Sequence, residues 1–335
     1  MKNTILYLLL ASPFISNAQN NHFELKQNFT IQSNGGWDYI TVYKNNIYVS
    51  HGTQVNILNK QTGDSVGIIE NTTGVHGIAF DPTQNIGFTS NGKLNNVFAF
   101  NVATNAVIAT IATGENPDAI FYEPFTKKII TCNGRGKNLS FIDPVSMKIV
   151  GTVDVGGKPE TAVSDEKGNV YVNVEDKNEI VKIDALNLKV LAHWSILPVE
   201  EPTGLAIDLT HKRLFAAGNE KMVVVNFENG QIISNIAIGA GCDGLVFDKS
   251  KKLIFTSNGS GTMSIIKQND ANKYTLMESL ITEKSARTLC IDDVTGMVYL
   301  PAAKFEAPVA GAAGNKRTPM IPGTFKVLVV GENKK

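Results

Sequence analysis

An all-β fold assembled from seven copies of a four-strand unit is what the sequence predicts, and three observations predict it. Residues 75–116 and 117–158 are 42-residue copies that align without a gap, each holding four apolar runs of strand length. Matching first runs then recur along the chain: WDYITV from Trp37, VHGIAF from Val75, PDAIFY from Pro117, PETAVS from Pro159, PTGLAI from Pro202, CDGLVF from Cys242 and ARTLCI from Ala286. Their spacings are 38, 42, 42, 43, 40 and 44 residues. Runs such as Asn46-Ile47-Tyr48-Val49-Ser50 alternate with the period of two that strands require, and no helical period is sustained. A period near 40 built from four strands is the signature of a β-propeller blade, so seven four-stranded antiparallel blades are expected.

The remaining strands follow in register. Second strands read IYVS, GFTS, IITC, VYVN, LFAA, IFTS and VYLP, and third strands read QVNIL, NVFAF, NLSFI, EIVKI, MVVV, MSII and FKVLVV. Turns such as Asn59-Lys60-Gln61-Thr62-Gly63 and Asp143-Pro144-Val145-Ser146 carry residues that tolerate left-handed backbone or bond their own main chain. The last copy stops after its third strand, near Val330, while Leu25 to Ile31 near the other terminus reads as an orphan fourth strand. The N-terminal segment is therefore expected to complete the seventh blade, hiding edges that would otherwise pair with other chains. That copy also carries an insertion, Lys304 to Gly323, rich in Ala, Gly and Pro. It reads as a loop, either a linker or a lid over one face.

Residues 1–18 stand apart. Lys2, a mostly apolar run from Ile5 to Ile15, and Ser16-Asn17-Ala18 match a secretory signal peptide cut after Ala18, too short to span a bilayer. The expected mature chain is a single propeller domain, residues 19–335, periplasmic or secreted, without a membrane span, and monomeric. Net charge is zero, and removing Lys2 leaves 30 basic against 31 acidic side chains, so charge alone gives no sign of nucleic acid or membrane. Cys132, Cys242 and Cys290 are odd in number and irregularly spaced, which is neither a disulfide framework nor a zinc pattern.

In a propeller, the loops before strand one and between strands two and three share a face and ring the axis. The second residue of each copy is then Asp38, His76, Asp118, Glu160, Thr203, Asp243 or Arg287. Trp37, His51, Asn133 and Arg135 come from adjacent loops, as do Asn91, Glu175, Glu201, Asn219 and Asn258. Three occupants compete for this rim. It is a solvated channel, or a small-ligand pocket with Trp37 as stacking wall and Arg287 for an anion. In the third case it holds a divalent cation, with His51, His76, Asp118 and Glu160 as ligand candidates. No resident cofactor is otherwise expected. The carboxylates after strand one (Asp81, Glu123, Asp165, Asp208 and Asp248) read as turn formers.

The second-strand pattern in Tyr48-Val49-Ser50 and Tyr171-Val172-Asn173, with Gly77-Ile78-Ala79-Phe80-Asp81 and Phe141-Ile142-Asp143, resembles the YVTN-repeat family of β-propellers. The ending Lys326 to Gly331 looks like its exported, YncE-like members, and the resemblance spans about residues 23–332. The resemblance implies a repeat protein, while the funnel ringed by Asp38, His76, Asp118, Glu160, Asp243 and Arg287 points to a binding or interaction module toward a small molecule or a protein. The resemblance also implies weak single-stranded DNA binding as one alternative. Similarly folded lactonases suggest another: a cation-assisted hydrolase with Glu160 or Asp118 as base and His76 as ligand or acid. The lactonases' own ligand set has no residue-by-residue match here, and fold alone does not settle function. Lysines of the strand one–two turns, Lys127, Lys128, Lys167, Lys212, Lys249, Lys251 and Lys252, are interleaved with acids that largely cancel them.

Overall fold

Seven four-stranded antiparallel sheets, arranged as propeller blades, make up the computed structural model, which describes residues 22–33, 35–307 and 318–333. Six blades are continuous in sequence. The first runs through Trp37–Tyr43, Asn46–His51, Gln54–Asn59 and Ser65–Ile69, and the pattern repeats to a sixth blade ending at Tyr274–Ile281. Their inner strands touch in cyclic order, and the strand at Cys290–Ile291 meets Trp37–Tyr43 to close the ring. The segment read as a signal peptide lies outside the described residues. Among the described residues no helix is long and apolar enough to cross a membrane.

The seventh blade closes as expected. Phe23–Thr30 pairs antiparallel with Lys326–Glu332 as its outermost strand. Phe23 packs with Phe255, Leu300 and Leu328, while Phe29 and Ile31 pack with Leu58, Val327 and Phe325. A neighbouring blade holds the strand's start, because Glu278 Oε2 accepts the backbone N–H groups of His22 (3.0 Å) and Phe23 (3.2 Å). On the other side, Lys60 of blade one makes a buried ion pair with Asp292 of blade seven at 2.8 Å. The Tyr299 hydroxyl donates to the Lys60 carbonyl across the same seam.

The core lies between blades. Each apolar cluster joins adjacent sheets, as where Phe141, Val153 and Leu139 meet Val170, Val172 and Val181. The aromatic of the second-strand pattern is buried in this layer. Tyr48 and Tyr171 are fully enclosed, Tyr48 against Phe80 and Tyr171 against Phe227. Glycine follows the second position of several inner strands because neighbouring blades crowd there. A Cβ on Gly77 would lie 2.8 Å from Ile120 Cγ2, and one on Gly244 would lie 2.6 Å from Leu289 Cδ2.

Two expectations change. The last inner strand is regular only at Cys290–Ile291, not from Ala286, because Arg287 and Thr288 turn their side chains to blade-one carbonyls. Arg287 Nη2 reaches Trp37 O at 3.1 Å and Thr288 Oγ1 reaches Asp38 O at 2.6 Å. The insertion is also not wholly loop: Phe305 and Met320 form a β-bridge at its base, and Phe305 stacks over Trp37 at 5.8 Å. Its middle, 308–317, lies outside the described residues. The carboxylates after strand one form turns as read, with Asp81 accepting from Thr83 N, Asp208 from Thr210 N and Asp248 from Ser250 N. All three cysteines are free.

Candidate functional site

The side chains at position two gather at the axis because the inner strands leave their ladders there. Pairing with the second strand shifts between Trp37 and Ile40, Val75 and Ile78, Pro117 and Ile120, Pro159 and Ala162, Pro202 and Gly204, and Cys242 and Gly244. Asp38, His76, Asp118, Glu160, Thr203 and Asp243 each sit inside such an irregularity, a device that re-aims a side chain. Backbone groups freed by the bulge are taken up by second-strand serines. Ser50 Oγ accepts Asp38 N (3.0 Å), Ser90 Oγ accepts Gly77 N (2.8 Å), and Ser257 Oγ donates to Arg287 O (2.5 Å).

All seven position-two residues line one cavity of ≈ 570 Å³ at the mouth of the axis, together with Trp37, Arg135 and Glu175. Their charges are closely interlocked. His76 Nδ1 lies 2.6 Å from Asp38 Oδ2 and 3.7 Å from Asp118 Oδ1. Arg287 pairs with Asp243 and stands 3.7 Å from Asp38. Lys158 pairs with Glu160 at 2.7 Å and also with Glu175. Asp118 is only 8% exposed, and its carboxylate has no hydrogen-bond partner among the described residues.

Burial sets the protonation of this ring. It is the largest influence raising Asp118, with the Asp38 charge next, and together they lift that carboxyl to about 7 against the pull of His76 and Lys158. Burial and then the Asp118 charge raise Glu160 well above the carboxylate range. Asp243 is raised by burial, with Arg287 opposing. For His76, burial disfavours the imidazolium, but the Asp38 hydrogen bond and the charges of Asp118 and Asp38 outweigh it and raise the group.

His51 and Asn133 do not join the ring. Both end second strands at equivalent positions, where the chain turns inward against its own blade. His51 is 1% exposed and stacks on Phe325 at 4.0 Å. Its Nε2–H donates to Gly35 O (2.8 Å), so Nδ1 accepts from Ser33 Oγ (2.5 Å), and neither nitrogen faces the cavity. Asn133 is buried, donating to Ser140 Oγ and Asn138 Oδ1, and Asn91 and Asn258 make the matching clamps in their blades. Trp37 reaches the cavity, but its ring is packed against Phe305 and Phe325.

The enclosure of His51 has a measurable consequence. Desolvation holds its pKa down to about 4, below the ordinary 6.5, so between those values the unfolded chain binds a proton the folded one refuses. This stabilisation is complete above pH 6.5 and is lost as pH falls through 4, amounting to about 3 kcal/mol. His51→Gln is expected to be the less stable protein at pH 7, with a gap to wild type that narrows on acidification to pH 4. Parallel thermal melts check it, and a gap independent of pH would contradict it.

Sequence reasoning missed Tyr39, Lys93, Asn116 and Lys158, which also line the cavity. Tyr39 carried a signal: it is the one large side chain at a position where other copies have Gly77, Ala119, Thr161, Gly204, Gly244 and Thr288. Burial, followed by the charges of Asp118 and Glu160, raises its hydroxyl well above the ordinary value.

No protein-family model matches the chain, and no curated protein sequence matches it. Solved structures do. A chain of Kuenenia stuttgartiensis hydrazine synthase superposes with a TM-score of 0.70 at 14% identity, covering 84% of this chain and 95% of that one. A chain in a structure of the mitotic checkpoint complex superposes with a TM-score of 0.71 at 11% identity, covering 90% and 96%. At these identities the likeness is one of fold.

Proposed function

We propose that this chain is an exported propeller of the YVTN-repeat, YncE-like kind whose axial mouth binds a small, polar, charged ligand. One observation carries the proposal. Where the seven copies share a register position, they place unlike side chains, six of the seven ionisable, into a single cavity of ligand size. A merely solvated channel has no need to hold Asp118, 8% exposed, beside His76 with no hydrogen bond to its carboxylate. The rim adds Lys93 and Arg135, both exposed and free of any ion pair among the described residues. Lysines of the opposite face support nucleic acid less well, because Lys128 is paired with Asp143, Lys212 with Glu228 and Lys251 with Glu332.

Thermal shift against a panel of small carboxylates, amines, amino acids, sugars and a DNA oligonucleotide tests this. At least one small-molecule class is expected to raise the melting temperature saturably, by about 2 °C or more, and to lose its effect in Glu160→Gln and Arg135→Ala. A shift that survives both substitutions would place binding elsewhere. A salt-sensitive shift with the oligonucleotide alone would replace this proposal with single-strand binding, and a protein partner without small-molecule binding would replace it with a docking role. Exported protein whose N-terminus is Gln19 is the expected outcome of N-terminal sequencing.

A further inference from the structure

We infer that Asp38, His76 and Asp118 form a site for one divalent transition-metal ion of the zinc class in the floor of this mouth, an assignment that rests on the mouth being a binding site. One ligand atom from each residue lies within 4.8 Å of the other two. One imidazole nitrogen with two carboxylate oxygens is a donor set for Zn²⁺ and its first-row neighbours rather than for the all-oxygen cages of calcium or magnesium. Metal–ligand bonds of about 2.0–2.2 Å put ligand atoms roughly 3.5 Å apart in a tetrahedral site. The 3.7 Å between His76 Nδ1 and Asp118 Oδ1 already meets that separation. The 2.6 Å between Nδ1 and Asp38 Oδ2 meets it after a small side-chain rotation that exchanges the shared proton for the ion.

Two further observations point to an occupant. Asp118, 8% exposed, faces the cavity and receives no side-chain or backbone hydrogen bond among the described residues, its nearest cationic partner being the His76 ring at 3.7 Å. The cavity's lysine and arginine make their close pairs elsewhere, Lys158 with Glu160 and Glu175 and Arg287 with Asp243, which leaves Asp118 to the His76 ring. The imidazole, in turn, occupies space that a side chain at Gly92 would fill, since a Cβ there would stand 2.7 Å from His76 Nε2. Gly92 therefore leaves the ring room to present Nδ1 to the two carboxylates. Three protein ligands leave a coordination position open toward the mouth, and an ion there would draw an anionic group of the ligand past the rim cations Lys93 and Arg135.

Titration calorimetry of Zn²⁺ into chelator-treated protein is expected to show one ion per chain. Asp118→Asn and His76→Gln should each weaken binding at least about 10-fold. Glu228→Gln, on the opposite face of the ring, should leave it unchanged, and all three variants are checked for a cooperative melt. Co²⁺ substituted for Zn²⁺ should give a visible absorption band that Asp118→Asn abolishes. The inference is overturned if no saturable binding occurs, or if one ion per chain persists in both Asp118→Asn and His76→Gln. Calcium or magnesium binding as tightly as Zn²⁺ would overturn the ion class. The assay contains no organic ligand, so loss of metal binding with panel ligands still active removes this site alone. Metal binding without any ligand shift removes only the small-ligand function.

Discussion

Removing residues 19–32 is expected to lower the melting temperature by about 10 °C or more and to increase self-association. The deletion strips Phe23, Phe29 and Ile31 from two interblade clusters, each side chain worth about 1.5–3 kcal/mol of burial. It also exposes the whole edge of Lys326–Glu332, a seven-residue strand otherwise paired along its length with Phe23–Thr30. At roughly 2 °C per kcal/mol for a chain of this size, the burial loss alone accounts for such a drop. The bare edge supplies the route to association. Calorimetry and size-exclusion chromatography read both effects. A melting temperature within about 2 °C of the intact protein would mean that the ring holds without its N-terminal strand. Glu278→Gln is a milder probe of the same closure, since it weakens only the clamp on His22 N and Phe23 N.

Lys60→Met is expected to destabilise the protein by about 3–5 kcal/mol, the largest effect of any single substitution considered. Asp292 is 3% exposed on its side chain and Lys60 is 9% exposed, so removing the ammonium leaves a largely buried carboxylate without its counter-charge. Burial by itself would raise Asp292, but Lys60, Thr295 Oγ1 and Val294 N together hold it below the ordinary value. With the lysine gone, the two hydroxyl and amide donors remain, which is too little for a buried charge. The double variant Lys60→Met with Asp292→Leu should recover much of the loss, because an apolar pair of similar volume often matches a buried ion pair. Chemical denaturation of the two variants decides this, and a double variant no better than the single one would locate the damage in packing instead.

Both predictions concern the closure of the ring, and that closure is legible in the sequence. A copy lacking its fourth strand at one end of the chain and an unpaired strand at the other leave a single economical solution. Strand positions elsewhere were legible for the same reason, since a repeat supplies many independent alignments of the same turn chemistry. The gathering of position-two residues around an axis followed from register. What the pattern could not convey was direction at the end of the second strand. His51 and Asn133 occupy loop-adjacent positions that look as available as Arg135, yet hydrogen bonds to Gly35 O and Ser140 Oγ turn them back into their own blades. Lys158 and Lys93 are the opposite case: they lie outside the repeated second position, and only the folded cavity shows that their side chains reach it.

The irregularities in the inner strands separate two jobs that most sheets assign to the same residues. At Asp38, His76, Asp118, Glu160, Thr203 and Asp243 the side chain belongs to the mouth, while the neighbouring ladder is held by residues on either side and by serines of the second strand. Substitution at those positions therefore changes what the mouth presents without asking the sheet to re-pair. A chain that arose by duplication of one unit inherits such a position in six of its blades, each able to change without disturbing the ladder beside it. Chemical variety at the centre can then accumulate one blade at a time, on a frame that stays the same.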